Sequence, residues 1–278
     1  MMNVDIVVLT HHDDKEIFNK TIDSIHKAIE TTKDYFRLGD FIIIGEEVKG
    51  RGRARDVGWR KGKSDYVLFT DVGVTLSNNW LIEIHKAIIS VGGDVWFGDS
   101  SKAGNPEYLL AKCSEIEYVE ESERLASQGA YLIVRSTGTS NILFRRSILE
   151  NVNGFDVNLP FCEDREIGYR IWKIGGKIYF VNNAKATNMH RIRLRDTLKK
   201  NWEKGLGVAY IKNKHINYPI GWKIYLLLPY SCVKRIFTWS FRYGWIGIFA
   251  SFLYFFKKLT MLLGYIHGRI TGMKSLTS

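Results

Sequence analysis

The first hundred residues alternate short apolar runs with amphipathic stretches, and this alternation restricts the possible fold more than any other feature. Residues 4–10 are apolar and rich in β-branched side chains, which predicts a strand buried on both faces. Apolar residues then recur every three or four positions between 18 and 29, which predicts one face of a helix. Similar strand patterns at 41–44 and 66–69, and a helix pattern at 79–91, indicate an α/β fold with a mainly parallel sheet flanked by helices.

Polar residues stand directly after several of the predicted strands. In parallel α/β sheets, ligands bind beyond the carboxyl ends of the strands. Thr10, Glu46, Asp71 and Asp99 occupy such positions, so we expect them to lie along one crevice. Each of these residues, taken alone, could equally be a solvated polar residue of a loop.

Composition narrows the class of protein further. The chain has 278 residues, of which 45% are hydrophobic and 25% charged, which excludes a disordered chain and a bundle of membrane spans. A formal net charge of +11 favours anionic partners such as nucleotide diphosphates, lipid phosphates or an anionic bilayer. Nucleic acid is the other anionic polymer to consider, but no recognisable nucleic-acid motif accompanies the basic residues, so none is expected as a partner.

The cysteines and the first residues bear on the cellular compartment. The three cysteines are far apart and match no metal or redox spacing, which favours a reducing compartment. The segment MMNVDIVVLTHHDD reads as a buried first strand rather than a signal peptide. The expected location is therefore the cytoplasm.

Five segments occur in an informative order. They are VDIVVLTHHDD, GRGRARDVGWRKGKSDYVLFTDVGVTL, GTSNILFRRSILENVNGFD, FCEDREIGYRIWKIGGKIYFV and ATNMH. Together they resemble the family 2 glycosyltransferases of the GT-A fold, over about residues 4–195. The resemblance implies a Rossmann-like GT-A catalytic domain, placed at residues 1–205, that transfers a sugar from a nucleotide-sugar donor with inversion.

The resemblance assigns the acidic pair of the fourth segment to catalysis. Asp164 matches the family's catalytic base, and Glu163 stands beside it. Transfer of a sugar to a hydroxyl requires a carboxylate that removes a proton, and this is the chemistry the family gives to the pair. In isolation, the same pair would more simply cap the helix that begins there.

The resemblance also implies a divalent metal, Mn²⁺ or Mg²⁺. Asp71 matches the family's metal-binding aspartate, but Gly73 stands where a second acid is usual. His190 lies where family members often carry a metal-binding histidine, although a lone histidine after a strand is otherwise more often structural. Asp71 and His190 make a plausible two-ligand set, since diphosphate and water can supply the remaining ligands.

Further residues are predicted to bind the donor. Arg51 and Arg55 belong to an RGRAR run suited to a diphosphate, and Arg55 best matches the family's nucleotide-side arginine. The alternative is a solvated basic face. Glu46 replaces the acidic turn that contacts the base in the family, which leaves the donor's identity open, and Thr10 completes the predicted donor-binding set.

Residues 191–204 are basic, which suits anionic lipid headgroups, and residues 206–278 are basic and rich in aromatic residues. The longest uncharged run, 243–256, is shorter than the roughly 20 residues that a spanning helix needs. We therefore expect an amphipathic helical region that lies on the anionic inner face of the cell membrane. A short hairpin span and a helical subdomain packed on the catalytic domain are the alternatives.

Family members with similar tails act on lipid-linked acceptors, which implies a lipid-linked glycan or a polyprenyl phosphate as acceptor. Gly73 and the altered turn at Glu46 motivate a different hypothesis. On that hypothesis the chain keeps the fold but is a non-catalytic membrane adaptor that binds nucleotide or lipid.

Overall fold

The computed structural model describes residues 1–10, 14–134, 138–159, 161–219 and 225–272. The strands in these ranges are β1 Met2–Leu9, β2 Phe36–Ile44, β3 Tyr66–Asp71, β4 Val74–Leu76, β5 Val95–Ala103, β6 Tyr131–Val134, β7 Asn141–Arg145 and β8 Ile178–Asn188. The helices are α1 Lys15–Glu30, α2 Arg51–Lys61, α3 Trp80–Val91, α4 Leu109–Ala126, α5 Arg146–Asn151, α6 Glu163–Lys173, α7 Leu194–Lys214, α8 Leu228–Tyr243 and α9 Trp245–Ile270.

The strands form one sheet in the order β2-β1-β3-β7-β5-β8-β4, with β6 paired to β8. β1 is parallel to β2 and β3, and β5 is parallel to β8, whereas β7 is antiparallel to both β3 and β5. Five of the eight described strands therefore run in one direction, while β4, β6 and β7 run in the other. This confirms the expected α/β fold with a mainly parallel sheet.

The sheet has a hydrophobic core on each face. Val4, Ile6 and Val8 of β1 belong to the core that also contains α1 and α3. Val7 and Leu9 belong to the opposite core, which contains α2, α5 and α6. Because side chains alternate along a strand, β1 is buried on both faces, as its continuous apolar run predicts.

Two helices, α1 and α4, can be compared with what their local sequence indicates. Asp14 caps α1, since its side chain accepts hydrogen bonds from the backbone N–H groups of Glu16 and Ile17. Asp13, which by sequence is an equally suitable cap, lies outside the described residues. The acidic segment EIEYVEESERLASQG, whose sequence suits either a helix or a mobile loop, lies mostly in the helix α4.

The C-terminal helices pack on the rest of the chain. α7 continues without a break through residue 205, so the predicted domain boundary between residues 205 and 206 falls inside a helix. The division into two domains stays a prediction. Gly205 of α7 and Gly264 of α9 permit close contact, because a Cβ at Gly205 would lie 2.1 Å from the Met261 carbonyl oxygen. Within the described residues, one helix, α9, is long and apolar enough to cross a membrane.

Ion pairs from α4 add to this packing. Three acidic side chains recur along α4 at every third position, and each pairs with a basic side chain of the C-terminal helices. The pairs are Glu117 with Lys257, Glu120 with Arg235, and Glu123 with Arg242. Apolar side chains of α4, α8 and α9 form a separate small core beside these pairs. The C-terminal helices are thus joined to α4 by both charge and packing.

Asp5 is a buried charge on β1. Its carboxylate is 1% exposed, pairs with Arg146 at 2.7 Å, and accepts hydrogen bonds from Ser64 and from the backbone N–H of Asp40. Burial alone would raise the pKa of Asp5, but these hydrogen bonds and the Arg146 charge outweigh burial and lower it. The stability that Asp5 contributes is therefore present above the ordinary value of 3.8 and is lost as the pH falls through the lowered pKa.

Asp5→Asn is expected to reduce the free energy of unfolding at neutral pH by about 3 kcal/mol, because Arg146 would lose its buried partner. The difference from wild type should shrink as the pH falls towards the lowered pKa. Urea unfolding in detergent at several pH values measures both effects. Asp40→Asn is the control, since exposed Asp40 contributes only its backbone N–H; equal losses in the two variants would contradict the assignment.

Candidate active site

A cleft of about 320 Å³ opens at the carboxyl edge of the sheet. The end of β3, the start of α2, the start of α6, the end of β8 and the cleft-facing side of α7 form its walls. Its lining includes Arg51, Arg55, Asp71, Glu163, Asp164 and His190. Six of the eight predicted site residues thus come together in one cleft.

The other two predicted site residues lie at the same edge of the sheet. Leu9 of β1 pairs in register with both Ile44 of β2 and Asp71 of β3, so these three strands end together. Thr10 follows at once, and its backbone N–H donates to the Ile44 carbonyl at 3.0 Å. Thr10 and the exposed Glu46 lie outside the described lining of the cleft, and their roles in donor binding stay predictions.

The expectation for Asp99 is wrong. Asp99 lies inside β5 rather than after it, because β5 continues to Ala103. Its carboxylate pairs with Lys185 of β8 at 2.9 Å, so it is used within the sheet. Ser100 lines the cleft in its place.

Backbone pairing brings Asp71 and His190 to the same wall of the cleft. Val74 pairs with Asn188, and the Met189 backbone N–H donates to the Gly73 carbonyl at 2.9 Å. Gly73 has a φ of +96°, and a Cβ there would lie 3.3 Å from the Cβ of Met189. An aspartate in this conformation would be strained and crowded, so glycine suits this turn.

The surroundings of His190 leave its ring available to a ligand. Asn105 holds its backbone by two hydrogen bonds of 2.9 Å, and the ring stacks on Tyr118 with a centroid distance of 5.3 Å. Its Nε2 is buried and has no hydrogen-bond partner among the described residues. Burial and the positive charges of Lys200 and Lys257 lower its pKa to about 4, so the imidazole is neutral at pH 7.

These observations fit a divalent metal with few protein ligands. Within the described ranges, no three His, Cys, Asp or Glu side chains cluster to hold an ion. Asp71 and His190 nevertheless line one cleft, and they offer a carboxylate oxygen and an unpartnered imidazole nitrogen. This donor set suits Mn²⁺ better than Mg²⁺, which prefers oxygen.

Arg55 connects the two acidic parts of the cleft. Its side chain is 2% exposed and donates to Asp71 at 2.8 Å and to Glu163. Burial alone would lower the pKa of Arg55, but the neighbouring carboxylates raise it, so it remains charged. Arg51, one turn earlier on α2, is half-buried and also lines the cleft.

The two acids at the start of α6 have different environments. Glu163 is 3% exposed and bound to Arg55, while half-buried Asp164 lines the cleft. Cys162, with a φ of +63°, turns the chain sharply into the helix. Asp164 Oδ1 accepts a hydrogen bond from the backbone N–H of Arg165 at 2.8 Å. Of the pair, Asp164 is therefore the carboxylate placed to reach a substrate, and Glu163 is placed to hold Arg55.

Several cleft residues were missed at the level of sequence. Lys200 and Lys204 of α7 line the cleft together with Arg165 and Tyr118. Sequence reasoning assigned the basic stretch 191–204 to membrane headgroups. The spacing of four between the two lysines is the available signal, since it places them on one face of a helix.

Comparisons with known proteins were made by sequence and by structure. The chain matches no protein-family model. It is 25% identical over 196 residues to a glucosyl-dolichyl phosphate glucuronosyltransferase of Haloferax volcanii. That match covers 60% of this chain, and the chain spans about 60% of the length of the relative.

Two solved structures are similar to the chain. A mannosyltransferase of Pyrobaculum calidifontis, in complex with GDP-Man and Mn²⁺, has a TM-score of 0.61 at 10% identity, over 97% of this chain and 87% of that one. GalNAc-T7 with UDP, GalNAc and Mn²⁺ has a TM-score of 0.50 at 15% identity, over 77% of this chain and 51% of that one. The GT-A fold expected from the sequence is confirmed, and the sequence relative is itself a glycosyltransferase, as the family resemblance implies.

Arg55→Lys tests the bridge across the cleft. A lysine keeps the charge but lacks the planar fork that binds two carboxylates, so a stability loss of about 2–3 kcal/mol is expected. Urea unfolding in detergent measures it. Arg53→Lys is the matched control, because Arg53 lies on the same helix and is exposed. Equal stability of the two variants would show that the bridge is dispensable.

Proposed function

We propose that the chain is an inverting glycosyltransferase that moves a sugar from a nucleotide-sugar donor to a lipid-linked glycan or polyprenyl-phosphate acceptor. The observation that carries the proposal is the placement of Asp164 in one cleft with Asp71 and His190. The Haloferax volcanii relative supports it, since that protein is named for a dolichyl-phosphate-linked acceptor.

The reaction is a single displacement at the anomeric carbon. The acceptor oxygen forms a bond to this carbon while the bond to the donor's diphosphate oxygen breaks, and the diphosphate leaves with the electron pair. Asp164 takes the proton of an acceptor hydroxyl, which makes the oxygen a stronger nucleophile. Attack from the face opposite the leaving group inverts the configuration.

The leaving diphosphate needs positive charge beside it. Asp71 and His190 would hold a divalent cation, Mn²⁺ in preference to Mg²⁺. When bound, that cation stabilises the negative charge of the leaving group. Arg51 provides further positive charge from α2. Arg55 contributes by orienting Asp71, and its predicted direct contact with the donor stays a prediction.

The C-terminal helices support attachment to a membrane. The face of α8 away from the packed core carries Tyr230, Val233, Phe237 and Phe241, of which Phe241 is 96% exposed. Phe249, Phe252 and Phe256 of α9 are about half exposed. A soluble protein seldom exposes so many large apolar side chains together. We assign this face to the cytoplasmic side of the membrane, where basic side chains such as Lys234 face anionic lipids.

The proposal predicts metal-dependent release of nucleotide from one class of donor. Detergent-solubilised protein would be tested with UDP-, GDP- and dTDP-sugars in the presence of Mn²⁺, Mg²⁺ or EDTA. Asp71→Ala and His190→Ala should each reduce release at least ten-fold, since each removes one of the two protein ligands. Absence of release from every donor, with membrane binding intact, would instead support the non-catalytic adaptor.

The variant Asp164→Asn distinguishes an acceptor that is a sugar hydroxyl from one that is a polyprenyl phosphate. If the acceptor is a sugar hydroxyl, the variant should lose about 10²–10⁴-fold in kcat, because it lacks the carboxylate proposed to take the proton. A polyprenyl phosphate is already ionised near neutral pH, so strong residual activity with it would show that no base is needed. Asp196→Asn, an exposed position on α7, is the control and should keep wild-type activity.

A further inference from the structure

Four basic side chains line the cleft from three different helices. Arg51 comes from α2, Arg165 from α6, and Lys200 and Lys204 from α7, and all four are half-buried. Among the described residues, none of them forms a salt bridge with a carboxylate. Half-buried cations without carboxylate partners are suited to an anionic ligand, because the ligand supplies the missing charge.

The two cleft lysines of α7 share some neighbours and differ in others. Lys200 lies close enough to His190 and Arg51 to repel positive charge on either of them. It therefore belongs to the wall where the donor's diphosphate is proposed to bind. Lys204, one turn later, lies near Lys200 and Tyr118 and also near Cys162, which precedes the acidic pair.

Backbone packing places Lys204 beside the start of α6, where Glu163 and Asp164 lie. The Cys162 thiol donates to the Lys204 carbonyl at 3.5 Å, so this turn of α7 touches the residue that precedes Glu163 and Asp164. Gly207 makes the approach possible, since a Cβ there would lie 2.6 Å from the Phe161 carbonyl oxygen. Arg165 follows Asp164 directly and lines the same cleft. Lys204 and Arg165 are therefore the basic side chains that flank Asp164 in the cleft.

Another face of α7 packs on the helix that carries the exposed aromatic side chains. Gly264 of α9 lies against α7 so closely that a Cβ there would be 2.3 Å from the Trp202 carbonyl oxygen. α7 thus contacts both the segment that leads into α6 and α9, a helix of the proposed membrane face. We infer that Lys204 and Arg165 form the binding site for the phosphate group of a lipid-linked acceptor, an inference that rests on the proposed function.

The test is direct binding, which does not depend on turnover. Geranyl phosphate and geraniol would be titrated into the detergent-solubilised full chain by calorimetry, with UDP and GDP as donor-side probes. Wild type should bind geranyl phosphate more tightly than geraniol. Lys204→Gln should weaken geranyl phosphate binding roughly 10- to 100-fold, as loss of a charge-assisted contact does, and should leave geraniol and nucleotide binding unchanged.

Two further variants keep the outcome interpretable. Lys204→Arg retains the charge and should keep most of the binding of geranyl phosphate. If the lysine side chain had only a structural role, binding would not follow the charge in this way. Lys199→Gln removes an exposed lysine of the same helix and should behave as wild type.

The inference is overturned if Lys204→Gln binds geranyl phosphate as wild type does. It is also overturned if the variant loses nucleotide binding to the same extent, since the site would then belong to the donor's diphosphate. Failure of the proposed function has a different signature, namely wild-type protein that binds geranyl phosphate but releases no nucleotide from any sugar donor.

Discussion

The buried guanidinium of Arg55 is the interaction on which the arrangement of the cleft depends. Asp71 ends β3 and Glu163 opens α6, so these carboxylates belong to segments separated by about ninety residues of chain. A buried carboxylate without a partner costs several kcal/mol, and Arg55 satisfies both at once. Because Glu163 is held in this way, Asp164 is the acid left facing the cleft. The bridge therefore gives two adjacent acids different environments.

A second constraint comes from the turn between β3 and β4. The positive φ of Gly73 and its contact with Met189 disfavour any side chain at this position. The same turn pairs with the end of β8 and so brings His190 to the wall of the cleft that contains Asp71. One backbone arrangement thus accounts for both the glycine at 73 and the position of His190.

Much of the fold follows from local patterns. The apolar run of β1, the Asp14 cap and the acidic pair that opens α6 were each predictable, because periodicity and capping depend on neighbours in sequence. The site was less accessible for the same reason. Asp99 was misplaced because β5 extends past its apolar residues through pairing with β8. Lys204 was assigned to the membrane because the local sequence does not show which face of α7 other segments cover. The covered face is set by contacts with distant segments, namely that of Gly205 with α9 and that of Gly207 with Phe161.

The acidic row on α4 has a consequence for how the protein sits on a bilayer. Tyr118, whose ring stacks on His190, directly follows Glu117, which pairs with Lys257 of α9. One helix therefore carries both the contact to the site and the attachment of the C-terminal helices. If these helices bind the membrane as proposed, they would act as a bracket that sets the height and tilt of the cleft above the lipid surface.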